Sequence, residues 1–325
     1  MSTPDQTTSE VRVQAVRYEA DGIHSYELRP LNKQPLPPFT AGSHIDLYLG
    51  NGMVRSYSLL NAQHETHRYV VSVQRDPSSR GGSVHIHQQI RCGDRMKIGL
   101  PRNNFKLHEE AAQSIFIAGG IGITPFVAMA QRMHSLKCDW QLHYFVRAED
   151  KAAFLEQLKT FDDTGERVKL YVNTSPEETG ALLKHIIGTA PATTHFYCCG
   201  PGGMIKGFLQ IAEGRVADTV HVEHFSAAAG GPSTVGDGGF KVYLSKLQRE
   251  VDIPADKSIL STLLDAGIDV PYSCEQGVCG ACETRVIEGV PDHRDLVLGD
   301  GEKAANKTMM ICCSRSKSER LVLEI

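Results

Sequence analysis

Ser273-Cys274-Glu275-Gln276-Gly277-Val278-Cys279-Gly280-Ala281-Cys282 carries three thiols at the spacing C-x4-C-x2-C, and Cys312 follows thirty positions after the last of them. Two irons bridged by two sulfides need four terminal thiolates. This spacing is that of a plant-type [2Fe–2S] centre, which carries one electron at a time. Gly277 and Gly280 let the loop backbone take left-handed dihedrals, so that its amides can face the sulfurs. Such hydrogen bonds help to set a potential on the order of −400 mV. A four-cysteine zinc site usually shows two short cysteine pairs, whereas here Cys279 and Cys282 form one. The cluster is the better reading. Three ligands come from one tight loop, and the fourth is expected from a distant strand.

The rest of the composition fits a soluble globular chain of two or three domains: 325 residues, 41% hydrophobic, 22% charged,. A net charge of −4 and the lack of a basic tract argue against nucleic acid,. Met1 to Glu10 is polar, so no signal peptide is expected, and no apolar run reaches the roughly 18 residues of a membrane span. Nine cysteines in such a chain suggest metal ligation or redox chemistry in a reducing cytoplasm, not disulfides,. Cys92 and Cys138 stand alone and read as ordinary buried thiols.

Working outward, three patterns divide the chain. Residues 1–108 alternate apolar and polar positions at period two, as in Val11 to Val16, His44 to Leu49 and Tyr69 to Val73. Turn signals recur between them, which predicts an antiparallel β-barrel interrupted by one helical patch at Ser83 to Ile90. Residues 109–226 alternate strands with helices, which predicts an α/β domain with a parallel sheet covered on both faces. Its strands are expected near 114–118, 141–146, 168–172 and 195–198. Its helices are expected at 125–136, 151–160, 180–187 and 202–213. Residues 227–238 are small, polar and glycine-rich, a tether. Residues 239–325 form a small α+β unit, with a strand at Phe240 to Leu244 and a helix at Ser258 to Ala266 capped by Ser258.

Within the barrel, Arg55-Ser56-Tyr57-Ser58-Leu59 pairs a cation with an aromatic ring. An arginine and a tyrosine on a barrel surface are usually just solvated, but together they suit a phosphate and a planar ring system. Arg80-Gly81-Gly82-Ser83 opens the helical patch, where successive backbone amides make an anion site. In the α/β domain, Gly119-Gly120-Ile121-Gly122-Ile123-Thr124-Pro125 lies between a strand and a helix, where glycines let a pyrophosphate approach backbone amides. It is not the GxGxxG fingerprint. Tyr197-Cys198-Cys199-Gly200-Pro201 follows another strand.

Read together, these blocks resemble, in order and across nearly the whole chain, the phthalate dioxygenase reductase family of the ferredoxin–NADP reductase superfamily. Members are reductase components of two-component Rieske oxygenases. The resemblance implies a flavin barrel, a nucleotide domain and a C-terminal ferredoxin of β-grasp type. It implies FMN held by Arg55, Ser56, Tyr57 and Ser58, with Ser72-Val73-Gln74 along the isoalloxazine edge and Arg80, Gly81, Gly82 and Ser83 on the phosphate. It implies NADH met by Gly119, Gly120, Gly122, Thr124, Pro125, Arg147, Cys199, Gly200 and Pro201. Cys199 would lie near nicotinamide C4, and Phe225 of Glu223-His224-Phe225 would cover the flavin. After Arg147 the acids Glu149 and Asp150 would repel a 2′-phosphate, which favours NADH over NADPH. The resemblance also favours Cys312 over its neighbour Cys313 as fourth ligand beside Cys274, Cys279 and Cys282. On a strand, adjacent side chains face opposite ways, so one of the two reaches the cluster.

The mechanism expected from this is a relay. A hydride carries two electrons and the cluster takes one, so a flavin between them has a chemical reason. NADH C4 would approach flavin N5 at roughly 3–3.5 Å, and the cluster would pass electrons to a separate Rieske oxygenase of the phthalate dioxygenase type. Thr124, Cys199 and Phe225 surround the transfer site, and no general acid or base is required. Two alternatives stand beside it: a reductase serving an aromatic O-demethylase, and a cluster-bearing redox sensor without turnover. A monomer is expected. His293, in Pro291-Asp292-His293-Arg294-Asp295, matches a stretch of the family and reads as an exposed loop histidine, with a docking role as the alternative.

Overall fold

A computed structural model of the chain describes residues 8–32, 34–50, 52–78, 81–225 and 238–325. Arg80 lies outside them, as does the expected tether apart from Gly238. The chain divides into two compact units, Met1–Glu223 and His224–Ile325.

The first unit opens with β1 (Thr8–Ala20), β2 (Ile23–Pro30), β3 (His44–Tyr48), β4 (Val54–Ser58), β5 (Tyr69–Gln74), α1 (Gly82–Gln89) and β6 (Arg95–Gly99). The strands form an antiparallel sheet in the order β4-β3-β6-β1-β2-β5. Period-two alternation decides which side is buried: Val11 and Val13 are fully buried while Arg12 between them is exposed,. A bridge between Leu59 and Val71, and the Leu60 amide on the Val70 carbonyl at 2.9 Å, join the two edge strands and close the barrel.

The α/β part follows with β7 (Gln113–Gly119), α2 (Thr124–Leu136), β8 (Asp139–Val146), α3 (Leu155–Lys159), β9 (Val168–Val172), α4 (Pro176–Thr189), β10 (His195–Cys199), α5 (Gly202–Ile211) and β11 (Val220–Glu223). All five strands are parallel, in the order β11-β10-β7-β8-β9. In β7, Phe116 and Ala118 join a core with Phe126, Met129 and Trp140 on one face. Ile115 and Ile117 join Leu183, Phe196 and Phe208 on the other. A strand buried on both faces needs that unbroken apolar run.

Two helices differ from expectation. The helix expected over 151–160 is broken into a single 3-10 turn at Glu149–Lys151 and the short α3, because Phe154 takes the left-handed conformation (φ 63°) and buries its ring in the core. The helix expected at 180–187 starts earlier. Ser175 accepts from the Glu178 amide at 3.2 Å, the Glu178 carboxylate accepts from the Ser175 amide at 2.8 Å, and Pro176 follows the cap,.

The barrel and the parallel sheet share one core. Ala20, Ile23, Ala41, Leu60 and Phe105 pack with Phe126, Met129 and Tyr197, and the Phe105 ring lies 5.8 Å from Phe126 and 5.7 Å from Tyr197.

The second unit contains β12 (Phe240–Leu244), β13 (Arg249–Ile253), α6 (Ile259–Asp265), β14 (Glu283–Glu288), β15 (Pro291–Asp292), α7 (Asp300–Ala305), β16 (Thr308–Met310), β17 (Arg315–Ser316) and β18 (Arg320–Leu323). Five strands form a mixed sheet, β13-β12-β18-β14-β16, beside a β15–β17 ribbon. Ser258 caps α6 by accepting from the Ser261 amide at 3.0 Å, and Ile259 and Leu263 pack on Val242 and Leu323. Among the described residues no helix is long and apolar enough to cross a membrane.

The shared core makes a test. Gly42 has φ +92°, and a Cβ there would lie 2.0 Å from the Phe105 carbonyl oxygen. Gly42→Ala should lower stability by about 2 kcal/mol or more, read by the fluorescence of Trp140 in urea. Gly22→Ala, with φ +73° and open space around it, should cost about 1 kcal/mol. Equal losses would mean that the junction does not constrain Gly42.

Candidate functional site

The cysteine loop is built by three left-handed residues, Glu275, Gly277 and Gly280, at φ 57°, 69° and 74°. Gly277 has a second reason to be glycine: a Cβ there would lie 2.5 Å from the Cys313 sulfur. The curl turns amides onto sulfur. The Gln276 amide donates to Cys274 Sγ at 3.3 Å and the Cys274 amide to Cys279 Sγ at 3.4 Å, and the Val278 and Ala281 amides add to the set. Cys274, Cys279, Cys282 and Cys312 are all buried. The Cys312 thiol comes within hydrogen-bonding reach of Cys274 and Cys282. Contact with Cys274 and then burial push the Cys279 thiol up, so these groups ionise together only if a cation neutralises them.

The sulfur spacing bears on which centre fits. A tetrahedral zinc with Zn–S of about 2.3 Å would place every sulfur within about 3.8 Å of the others. Among the described residues, the group of three or more ligand atoms mutually within 4.8 Å is a histidine trio, not these cysteines. A wider, two-iron centre fits the donors.

One expectation needs correction here. Cys312 and Cys313 are not on a strand: β16 ends at Met310, and the Cys313 and Ser314 amides fold back onto the Met310 carbonyl at 3.3 and 3.0 Å. Strand alternation therefore does not govern the two thiols: they share one turn and lie within hydrogen-bonding reach of each other. Cys312 reaches the loop cysteines, whereas Cys313 lies against Gly277 and within 3.9 Å of Ser314 Oγ.

At the carboxyl edge of the parallel sheet, strand register sets Ala118, Cys199 and Glu223 side by side. The loop after β7 packs directly on the loop after β10. A Cβ on Gly122 would lie 2.2 Å from the Cys199 carbonyl oxygen, and one on Gly119 would lie 2.6 Å from Pro201. Those two glycines serve loop packing, while Gly120, at φ +54°, faces open space. Thr124 starts α2 and donates its hydroxyl to the Ile121 carbonyl at 3.0 Å, and Pro125 occupies the first turn. Arg147 stands exposed past the end of β8.

Glu223 is the residue that sequence reasoning passed over. The residue is half-buried overall, but its Oε2 is buried with no hydrogen-bond partner among the described residues, and burial pushes its carboxyl up to about 8. Burial, and then Glu223, push the neighbouring Cys199 thiol well above its ordinary value. A buried acid in a strand-end cleft is the signal that marks it, and that signal needs the fold.

On the barrel, alternation along β4 puts Arg55 and Tyr57 on one face and Ser56 and Ser58 on the other. Ser56 donates to Asp46 at 2.7 Å, and the Ser58 hydroxyl is buried without a partner among the described residues. Arg55 lies over the start of α1, where a Cβ on Gly82 would be 2.6 Å from its Nε. Gly81 caps α1 at φ 85°, with no side-chain cap and no acid in the first turn. An uncapped helix start beside a guanidinium suits a phosphate. The Ser83 hydroxyl accepts from the Asp76 amide at 3.1 Å. Ser72 donates to the His24 carbonyl at 3.1 Å, the Val73 carbonyl meets His87 Nε2 at 2.8 Å, and Gln74 is exposed.

Comparison with known proteins agrees with this geometry. Residues 116–210 match the oxidoreductase NAD-binding domain and residues 242–317 the 2Fe-2S iron-sulfur cluster binding domain. The chain is 46% identical to phenoxybenzoate dioxygenase subunit beta of Ectopseudomonas oleovorans over 97% of each chain. It is 41% identical to the vanillate O-demethylase oxidoreductase of Pseudomonas sp. (strain HR199 / DSM 7063) over 97% of this chain and 99% of that one. With phthalate dioxygenase reductase of Burkholderia cepacia it shares 37% identity over 94% of each. The chain belongs to the phthalate dioxygenase reductase family. A solved phthalate dioxygenase reductase, described as a modular structure for electron transfer from pyridine nucleotides to [2Fe-2S], superimposes with a TM-score of 0.73 at 35% identity over the full length of both. An intact type IV self-sufficient cytochrome P450 monooxygenase superimposes with a TM-score of 0.87 at 37% identity; this chain spans 41% of that longer one.

As a member of this family the chain is an oxidoreductase with an NAD-binding domain and a [2Fe–2S] domain. The remaining expectations meet mixed outcomes. His293 is not an exposed loop histidine: its side chain is 8% exposed, with Nε2 3.2 Å from Asn306 Oδ1 and Nδ1 3.8 Å from Asp295. Cys92 is exposed and Cys138 half-buried, so neither is a buried thiol. Cys198 is buried, as expected. Phe225 follows β11, is 42% exposed and belongs to the second unit.

Two tests follow from the geometry. Cys312→Ser should abolish the visible absorbance of the cluster and Cys313→Ser should retain it; the reverse would make Cys313 the ligand. For Glu223 the folded value, about 8, lies above the ordinary 4.5. Folding therefore takes up a proton, and stability falls as pH rises from 4.5 through 8,. Glu223→Gln should match wild type in Tm near about pH 5 and exceed it near about pH 8.5. A difference that stays flat with pH would show that Glu223 is not buried as an acid.

Proposed function

We propose that this chain is the NADH-dependent reductase of a two-component oxygenase, acting as a cytoplasmic monomer with modules at residues 1–108, 109–226 and 239–325. It passes electrons from NADH by way of FMN and the [2Fe–2S] centre to a separate terminal Rieske oxygenase that attacks an aromatic substrate. The buried nest of four cysteine sulfurs, three of them in one loop whose amides donate to sulfur, carries the reading. FMN, when bound, converts a two-electron donor into single electrons, and the cluster carries those singly.

The protein's part is binding, orientation and charge. Arg55 and the amides of Gly81, Gly82 and Ser83 would neutralise the FMN phosphate. Tyr57 offers a ring face, Ser58 a free hydroxyl, and Ser56, Ser72, Val73 and Gln74 complete the surround. Gly119 and Gly122 bring Cys199, Gly200 and Pro201 against the start of α2, and Gly120 keeps the cleft open for a pyrophosphate. Thr124 and Cys199 would then border the nicotinamide. Glu223, holding its proton at neutral pH, can donate to the nicotinamide carboxamide without placing a second charge in the cleft. Arg147 meets the adenosine side, and Glu149 and Asp150 beside it disfavour a 2′-phosphate.

Among the relatives above 40% identity, one phenoxybenzoate dioxygenase subunit and two vanillate O-demethylase oxidoreductases support an aryl-ether substrate over phthalate, and a tetrachlorobenzoquinone reductase stands beside them. Anaerobic titration of the holoprotein with NADH is the test. Complete reduction should consume roughly 1.5 NADH per chain, two electrons for the flavin and one for the cluster. The paramagnetic signal of a reduced [2Fe–2S] centre should appear, and cytochrome c should be reduced at turnover rates. Reduction by NADH without onward transfer to cytochrome c would instead identify a redox sensor.

A further inference from the structure

We propose that His108, His195 and His221 form a binding site for a divalent first-row transition ion, zinc in the first instance, at the amino-terminal edge of the parallel sheet. His195 is the first residue of β10, and His221 on neighbouring β11 is in register with Tyr197. Period-two geometry therefore puts His195, Tyr197 and His221 on one face. His108 comes from the segment that joins the barrel to β7, and its amide donates to the Tyr197 hydroxyl at 2.9 Å. One ligand nitrogen from each histidine lies within 4.8 Å of the other two, and this is the group of that kind found among the described residues.

The spacing is close to what an ion requires. His195 Nδ1 and His221 Nε2 are 3.0 Å apart. A tetrahedral zinc with Zn–N of about 2.0–2.1 Å sets its ligand nitrogens about 3.3–3.4 Å apart. The His195 and His221 rings are nearly parallel (17°) with centroids 5.3 Å apart, so they meet edge to edge and share one proton between nitrogens. The ion takes the place of that proton. The ring that carried it presents its lone pair by a change of tautomer, with no net proton release, and both rings turn to face the ion. His108 is exposed, stacked on His221 and tilted to His195, with ring centroids 4.8 Å from each, so rotation about its side chain brings in the third nitrogen.

Burial keeps the ligand nitrogens unprotonated. Burial, then His108 and His195, hold the His221 imidazole down to about 4, and burial and His108 lower His195 as well. Both present neutral nitrogen at neutral pH, the form that binds metal. Asp218 is near enough to His195 to act on it electrostatically, and it is the anionic group available to orient the ligand shell,. Three imidazoles and an open fourth position suit zinc, copper or nickel over calcium or magnesium. His195 and Cys199 are four residues apart on one strand, about 13 Å, so the ion stands off the electron path. Its effect is structural: it ties the barrel-to-sheet segment to the sheet edge. None of this depends on the reductase reading.

The experiment is calorimetric titration of zinc into the holoprotein, with the cluster loaded so that the loop thiols are occupied. One ion per chain should bind with micromolar affinity or better and raise Tm. His195→Ala and His221→Ala should each weaken binding at least about tenfold, while His24→Ala, at a histidine stacked on His87 in the barrel, should leave it intact. His195→Gln repeats the test if the alanine variant misfolds, and NADH–dye turnover reports folding in each. No saturable uptake below about 100 μM zinc overturns the proposal. So does uptake that survives both alanine variants.

Discussion

The close approach of two backbone loops at the carboxyl edge of the parallel sheet governs the nucleotide end of this molecule. No side chain fits on Gly122, because the Cys199 carbonyl would stand 2.2 Å away, and none fits on Gly119 because of Pro201. That contact seals Cys199 and lets the strand register bring Ala118, Cys199 and Glu223 into line. It also separates two roles that a run of glycines conceals. Two of the three glycines serve protein packing, and Gly120, left-handed and facing open space, is the one that leaves room for a ligand,.

Buried ionisable groups fall into two kinds here. Glu27 in the barrel is a closed set: burial raises its carboxyl, and bonds from Arg29, Arg68 and Arg17 more than offset that, so it stays below its ordinary value. Asp46, bonded to Ser56 and Arg102, is likewise partnered. The candidate site groups are incomplete. Glu223 Oε2 and the Ser58 hydroxyl lack partners among the described residues, and the loop thiols crowd one another beneath backbone amides. Leaving a buried polar group unsatisfied costs about 1–3 kcal/mol, so such groups are expected where a bound molecule completes them.

Legibility in the sequence tracked how local the determinant was. The Ser258 cap of α6 could be read directly, because capping is settled within four residues,. So could the strands of the barrel and of the parallel sheet, whose period is written in consecutive side chains. The helix over 151–160 could not, since the break lies in the burial of Phe154 against a distant core. The turn that carries Cys312 and Cys313 reads as a strand in the sequence because Met309 to Cys313 is an apolar run, and such a run does not disclose where pairing stops,. His293 looked like a loop residue by its neighbours, but Asn306 and Asp295 enclose it from a helix end and a following turn.

By itself the sequence determined the order of an antiparallel barrel, an NAD-binding domain and a [2Fe–2S] domain, and it marked the cysteine loop, the glycine turn and the arginine–tyrosine strand as candidate sites. Those depend on residue type at short spacing: thiols three to five positions apart, glycines at a turn, an arginine two residues from a tyrosine. The tertiary structure alone decided that Glu223 is a buried acid beside Cys199, that Gly122 answers to a carbonyl and that three histidines converge. Each of these is a fact about atoms far apart in the chain. Desolvation and close contact act through space, and no local pattern encodes them.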